Sequence, residues 1–82
     1  MTFDRGDTYN EVVAVVAEKL NTDKNATAKA STFENLGADS LDMVEIILEL
    51  ESKFGIEIDD VDAEQLTDIN QVVDYIQLKR TK

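Results

Sequence analysis

The sequence predicts an all-α fold, a small four-helix bundle of three main helices and one short helix with a long first loop. Apolar residues recur at helical spacing in three separate stretches, each bounded by capping or stop residues. The valine-rich run Val12-Val13-Ala14-Val15-Val16 suits a strand by propensity, but no second strand-like run exists to pair with it. At 82 residues the chain makes one domain, and a chain of this size buries only about 60% of its unfolded surface. A small core is possible; a large substrate cleft is not.

Thr8 and Glu11 form a capping-box pattern, and Tyr9, Val12, Val13, Val16 and Leu20 follow at helical spacing, which predicts a first helix from about Thr8 to Leu20. Met1 to Asp7 then reads as a disordered N-terminal extension. Asn21 to Glu34 is polar and of low periodicity, so it reads as a long loop pinned to the core by Phe33 and Leu36. The second helix starts at Asp39 or Ser40 and stops near Phe54, where Gly55 supplies the C-terminal stop. Ile56 to Ile58 is a brief extended link, and Asp60 to Gln65 a third helix of one or two turns. Thr67 or Asp68 caps a fourth helix through about Leu78, with Ile69, Val72, Val73 and Ile76 on its core face. The folded domain is thus 8–78, with a basic C-terminal tail at 79–82.

The second helix carries two apolar stripes. Met43, Ile46, Ile47, Leu50 and Phe54 share a broad face, which is assigned to the core. Leu41, Val44 and Leu48 fall on a separate stripe, with Asp42, Glu45 and Glu49 along one side and Glu51 near the other. An apolar centre with a charged rim is the anatomy of a protein interface; the alternative is a wide core face.

Eighteen acidic residues against eight basic ones give a net charge of −10. Such a balance argues against nucleic acid and anionic membrane surfaces, and favours a basic protein partner. Between Glu34 and Asp74 the only basic residue is Lys53, so the acidity belongs to the second helix and to the segment C-terminal to it. The acidic cluster Asp59-Asp60-Val61-Asp62-Ala63-Glu64 invites comparison with a calcium loop, but Gln65 stands where that loop needs Gly and Gln71 where it needs Glu. No metal site is assigned. No stretch is apolar enough to span a bilayer, and Met1 to Asp7 resembles neither a signal peptide nor a transit peptide, so a cytoplasmic location is expected.

The chain has neither histidine nor cysteine, so the usual proton shuttles and thiol nucleophiles are missing and catalysis by the chain alone is not expected. Against that background the run Leu36-Gly37-Ala38-Asp39-Ser40-Leu41-Asp42 is the most informative. Gly37 allows a sharp entry turn, Asp39 covers the N-cap, and a capping box on Ser40 would need Glu or Gln where Met43 stands. Ser40 is left over as a hydroxyl at a helix N-terminus, where a phosphate is welcome. Its best use is as an attachment point.

At these residues the chain resembles the acyl carrier proteins, in particular the free-standing type of fatty-acid synthesis. The resemblance rests on Gly37-Ala38-Asp39-Ser40-Leu41-Asp42 with Val44-Glu45 after it. It extends to Leu50-Glu51, Phe54, Ile58, Ala63-Glu64 and Val73-Asp74-Tyr75-Ile76, nearly the whole chain. It implies that Ser40 is esterified by phosphopantetheine, making a phosphoprotein whose added thiol carries acyl groups as thioesters. It also implies a bundle interior that parts to hold the acyl chain, for which Phe33, Met43, Ile46, Ile47, Leu50, Phe54, Ile58, Ala63, Leu66 and Tyr75 are the candidate lining.

Asp39, Leu41, Asp42, Val44, Glu45, Leu48 and Glu51 match positions that the family uses for docking onto a phosphopantetheinyl transferase and the basic surfaces of fatty-acid synthesis enzymes. The resemblance thus implies a monomeric, non-enzymatic carrier. Asp59 stands where the family often has Pro, and Ser52 and Lys53 replace acids common late in the second helix. Two other readings stay open: an unmodified acidic adaptor that uses the Leu41/Val44/Leu48 stripe only for contact, and a carrier for polyketide or D-alanyl transfer. The Gly-Ala-Asp-Ser-Leu-Asp form favours fatty acid.

Overall fold

Helix α1 (Arg5–Lys19) is the hub of the computed structural model, which describes residues 4–30 and 32–80. It packs against α2 (Lys24–Lys29), α3 (Ser40–Phe54) and α5 (Ile69–Arg80); a 3-10 turn at Glu34–Leu36 and the short α4 (Asp60–Gln65) complete the order. No strand forms among the described residues. With neighbours on three sides, α1 buries Val15 and Ala17 as well as the expected Val12, Val13 and Val16, while Tyr9 and Leu20 pack partly buried at its ends. The valine run is helical because this burial outweighs the modest helix penalty of β-branched residues.

The core joins these valines to Ile46, Ile47 and Leu50 of α3, to Ile69, Val72, Val73 and Ile76 of α5, and to Phe33, Ile58 and Leu66 from the connections. Helices α3 and α4 and the α5 core face lie where the spacing places them. Gly55 ends α3 at φ 65°, a left-handed conformation that only glycine adopts at little cost.

Four expectations need correction. Helix α1 begins at Arg5 because Asp4 is the actual cap, its carboxylate accepting from the Gly6 amide at 2.9 Å. Residues 5–7 are therefore helix and not extension, while Met1 to Phe3 lie outside the described residues. Thr8 is no cap: it sits inside α1, fully buried, with its hydroxyl bonded to the Gln77 side-chain oxygen. The first loop contains α2, which Asp23 starts by accepting from the Asn25 amide at 3.0 Å. Its only buried residue is Thr27, so it carries no apolar stripe to betray it. Among the described residues the bundle thus has three long helices and two short ones.

The fourth correction concerns the tail. Helix α5 continues through Arg80, and only Thr81 and Lys82 lie outside the described residues. Arg80 holds the last turn in place: Nη1 donates to the Thr8 hydroxyl at 3.0 Å, lies 3.9 Å from Glu11 Oε2, and its guanidinium sits 4.9 Å over the Phe54 ring. Lys79 lies over Tyr75 at 5.4 Å, and both cations suit a helix C-terminus.

Helix α4 is held differently. None of its own residues is buried, and Asp59 makes no side-chain cap. Ala63 packs against the core, Leu66 is buried just beyond the helix, and the Tyr75 hydroxyl donates to Asp62 Oδ2 at 2.7 Å. Burial, and after it the Asp62 carboxylate, push the Tyr75 phenol up to about 12.

Arg80→Ala should lower the unfolding free energy by about 1–3 kcal/mol, since it strips a charged donor from a buried hydroxyl and a cation from an aromatic face. Lys79→Ala, at an exposed site, should cost no more than about 1 kcal/mol in the same urea titration. A second expectation concerns alkaline pH. Between pH 10 and 12 the unfolded chain gives up a tyrosine proton that the folded chain keeps at Tyr75, so stability falls as pH climbs through that window. Tyr75→Phe lacks this loss. Its deficit of about 1 kcal/mol at neutral pH should shrink between pH 10 and 12, as read from urea midpoints in parallel titrations.

Candidate functional site

Ser40 is the first residue of α3 and is exposed. The approach is built by the 3-10 turn, by Gly37 at φ 79°, and by two backbone bonds of Phe33: its amide donates to Thr67 at 3.0 Å and its carbonyl accepts from Ala38 at 3.1 Å. Phe33 is itself buried, which fixes the loop to the core just upstream of the serine.

The helix start is capped without the Ser40 side chain. Asp39 Oδ1 accepts from the Asp42 amide at 2.9 Å, and Asp42 Oδ2 accepts in return from the Asp39 amide at 3.2 Å. This reciprocal box uses Asp at the position where Glu or Gln is usual. The signal was present as Asp-x-x-Asp, but sequence reasoning tested the box only on Ser40 and so missed the role of Asp42. Nothing among the described residues hydrogen-bonds the Ser40 hydroxyl, which stands at the positive end of a 15-residue helix.

The second stripe of α3 is exposed: Leu41 is 67% accessible, Val44 54% and Leu48 60%. The wide-core alternative therefore does not hold. Asp39 and Glu45 are exposed beside the stripe, while Asp42 is half-buried in its capping role. Glu49 lies 3.8 Å from Lys19 of α1. Glu51, grouped with the docking acids by sequence, turns instead toward the α3–α4 link, where its Oε2 accepts from the Ile58 amide at 2.7 Å.

Beside Ser40 a cleft of about 630 Å³ opens between α3 and α4. Met43, Val44, Ile47, Leu48 and Glu51 form its α3 wall; Ile58, Asp60, Ala63, Glu64 and Leu66 face them. Its volume falls within the range of small-ligand sites. Of the candidate lining, Met43, Ile47, Ile58, Ala63 and Leu66 meet here. Phe33 lines an adjoining hollow of about 340 Å³ that shares Met43 and Leu66. Ile46 and Leu50 are fully buried in the core, Phe54 lies under Arg80, and Tyr75 faces Asp62, so these four do not line the cleft. Val44, Leu48 and the carboxylates of Glu51, Asp60 and Glu64 are lining residues that sequence reasoning did not assign.

Chemically, the site offers an uncommitted hydroxyl, a helix dipole suited to a phosphodiester, and an apolar cleft leading from it. The chain lacks histidine, and the Asp39 and Asp42 carboxylates on either side of the serine in sequence are engaged in capping. Among the described residues no cluster of acidic side chains is arranged to hold a metal ion. An exposed hydroxyl at the α3 N-terminus is chemically compatible with a phosphate-linked arm.

Comparison with known proteins agrees. Residues 10–76 match the family described as the phosphopantetheine attachment site. The chain is 54% identical over 70 residues to an acyl carrier protein of Campylobacter jejuni, covering 84% of this chain and 91% of the relative. It is 47% identical over 70 residues to one of Helicobacter pylori, covering 84% and 90%. It is 37% identical over 76 residues to one of Thermotoga maritima, covering 92% and 94%. With an exposed, uncommitted serine at a capped helix start and this likeness along nearly its whole length, the chain belongs to the acyl carrier protein family, whose members bear the phosphopantetheine attachment site.

Proposed function

We propose that Ser40 is the residue to which phosphopantetheine is esterified and that the exposed face of α3 presents the loaded arm to partner enzymes. As an acyl carrier protein the chain holds acyl groups for fatty-acid synthesis. The observation that carries the assignment to Ser40 is its free hydroxyl at the start of α3, left uncommitted because Asp39 and Asp42 cap one another. The arm supplies the thiol that the cysteine-free chain lacks. Residues of the chain hold the phosphodiester at the α3 N-terminus and, through Met43, Ile47, Ile58, Ala63 and Leu66, offer the acyl chain a place out of water.

Partners meet Leu41, Val44 and Leu48 as the apolar centre and Asp39, Asp42 and Glu45 as the acidic rim, which suits basic surfaces on a phosphopantetheinyl transferase and on synthesis enzymes. The chain acts as a monomeric carrier and not as a catalyst, because each acyl group must be handed between several enzymes. No described helix is long and apolar enough to cross a membrane, and the bacterial relatives support a cytoplasmic site of action.

Ser40→Ala should abolish the mass gain seen when the chain is incubated with a phosphopantetheinyl transferase and coenzyme A, while circular dichroism stays unchanged. Stability should fall by no more than about 1 kcal/mol, since the hydroxyl caps nothing. An arm still attached to the mutant would overturn the assignment, and an arm attached nowhere on the wild-type chain would favour the adaptor reading. For docking, Glu45→Lys is the clean probe, because Asp42→Lys would also break the cap. Glu45→Lys should slow association with the transferase far more at low salt than at high salt, since exposed charges act over only about 8 Å at physiological ionic strength. A loss equal at both salts would exclude steering by this residue.

A further inference from the structure

The two walls of the cleft are held with unequal strength. The α3 wall is backed by Ile46 and Leu50, both fully buried, and by Ile47. The opposite wall, residues 56–66, has buried side chains only at Ile58 and Leu66, with no buried residue along α4 between them. Two side-chain hydrogen bonds from outside this wall supplement those anchors and the backbone bond from the Ile56 amide to the Glu51 carbonyl. Glu51 of α3 accepts from the Ile58 amide where the wall begins, and Tyr75 of α5 donates to Asp62 midway along it. Segments with few buried apolar contacts open locally at low cost, so each such bond weighs heavily in when they open.

We propose that Glu51 and Tyr75 are positioning residues that latch residues 56–66 against the bundle and so set how readily the cleft admits an apolar chain. The assignment deepens the carrier reading and rests on it only for the identity of the chain that enters. It gives Glu51 a task its place among the α3 acids does not suggest: its carboxylate works inward, as an acceptor for backbone, and the acceptor oxygen matters more than the charge. Glu51 also borders the cleft itself, so a chain entering there meets the latch directly.

The chain without its arm is sufficient for the test, which can therefore fail while Ser40 loading succeeds. Amide hydrogen exchange would be followed in Glu51→Ala, Glu51→Gln and Tyr75→Phe. Exchange across residues 56–66 should rise about tenfold in Glu51→Ala and about fivefold in Tyr75→Phe, with the buried amides of Val12 and Val72 unchanged. Glu51→Gln, which keeps an acceptor oxygen and loses the charge, should stay within about threefold of wild type. Uptake of the neutral dye Nile red should increase in the first two variants and not in Glu51→Gln. Unchanged exchange in Glu51→Ala and Tyr75→Phe, a Gln variant as open as the Ala variant, an equal rise at Val12 and Val72, or faster exchange without added dye uptake would each overturn the proposal. Should Glu51→Ala fail to fold, Tyr75→Phe carries the same decision alone.

Discussion

The reciprocal bonds between Asp39 and Asp42 are the constraint on which the site depends. A helix start leaves amide donors in search of acceptors, and a serine placed there would ordinarily turn its oxygen back to one of them. Here one carboxylate serves the Asp42 amide and the other the Asp39 amide, so the cap forms without the serine. The Ser40 hydroxyl can then point away from its own backbone while still standing at the positive end of the helix dipole. Moving the cap by one residue would keep the helix and lose the free hydroxyl.

From that start α3 divides its circumference between two tasks. Ile46, Ile47 and Leu50 join it to α1 and α5, while Leu41, Val44 and Leu48 remain in water at a cost in exposed apolar area. The bundle tolerates this because its stability is concentrated elsewhere. Four valines of α1 and the Ile69, Val72, Val73 and Ile76 face of α5 form most of the core, and Arg80 ties the ends of α1, α3 and α5 together. The α4 side, by contrast, carries little of the core, and the cleft forms there.

The long helices and the apolar faces were legible in the sequence because large side chains at 3.6-residue spacing leave one reading. The place of Ser40 at the start of α3 was legible because Gly37 and Asp39 mark a turn and a cap just before it. The features that escaped were encoded in small or polar groups. Helix α2 rests on an Asp23 cap and one buried threonine, so hydrophobic periodicity could not find it. Thr8 resembled a cap because threonine is common at caps, yet its partners, Gln77 and Arg80, lie about seventy residues away and only the fold brings them near. Glu51 looked like its exposed neighbours until its oxygen was seen on the Ile58 amide. The lining of the cleft was half legible, since periodicity marks which residues face inward but not which of them border a gap.

The ion pairs add a consequence at the scale of the whole molecule. Arg5 reaches Asp74 at 2.8 Å, Lys19 approaches Glu49, and Arg80 approaches Glu11, so every one of these cations is drawn to α1 or to a helix beside it. The carboxylates of Asp39 and Glu45 stand among none of these pairs. The paired cations are thereby neutralised locally, while Asp39 and Glu45 beside the exposed α3 stripe have no ion-pair partner among the described residues. In the field of a basic partner those uncompensated carboxylates would draw the α3 face inward before contact. An encounter begun in that way would present Ser40 first and shorten the orientational search that slows most protein encounters.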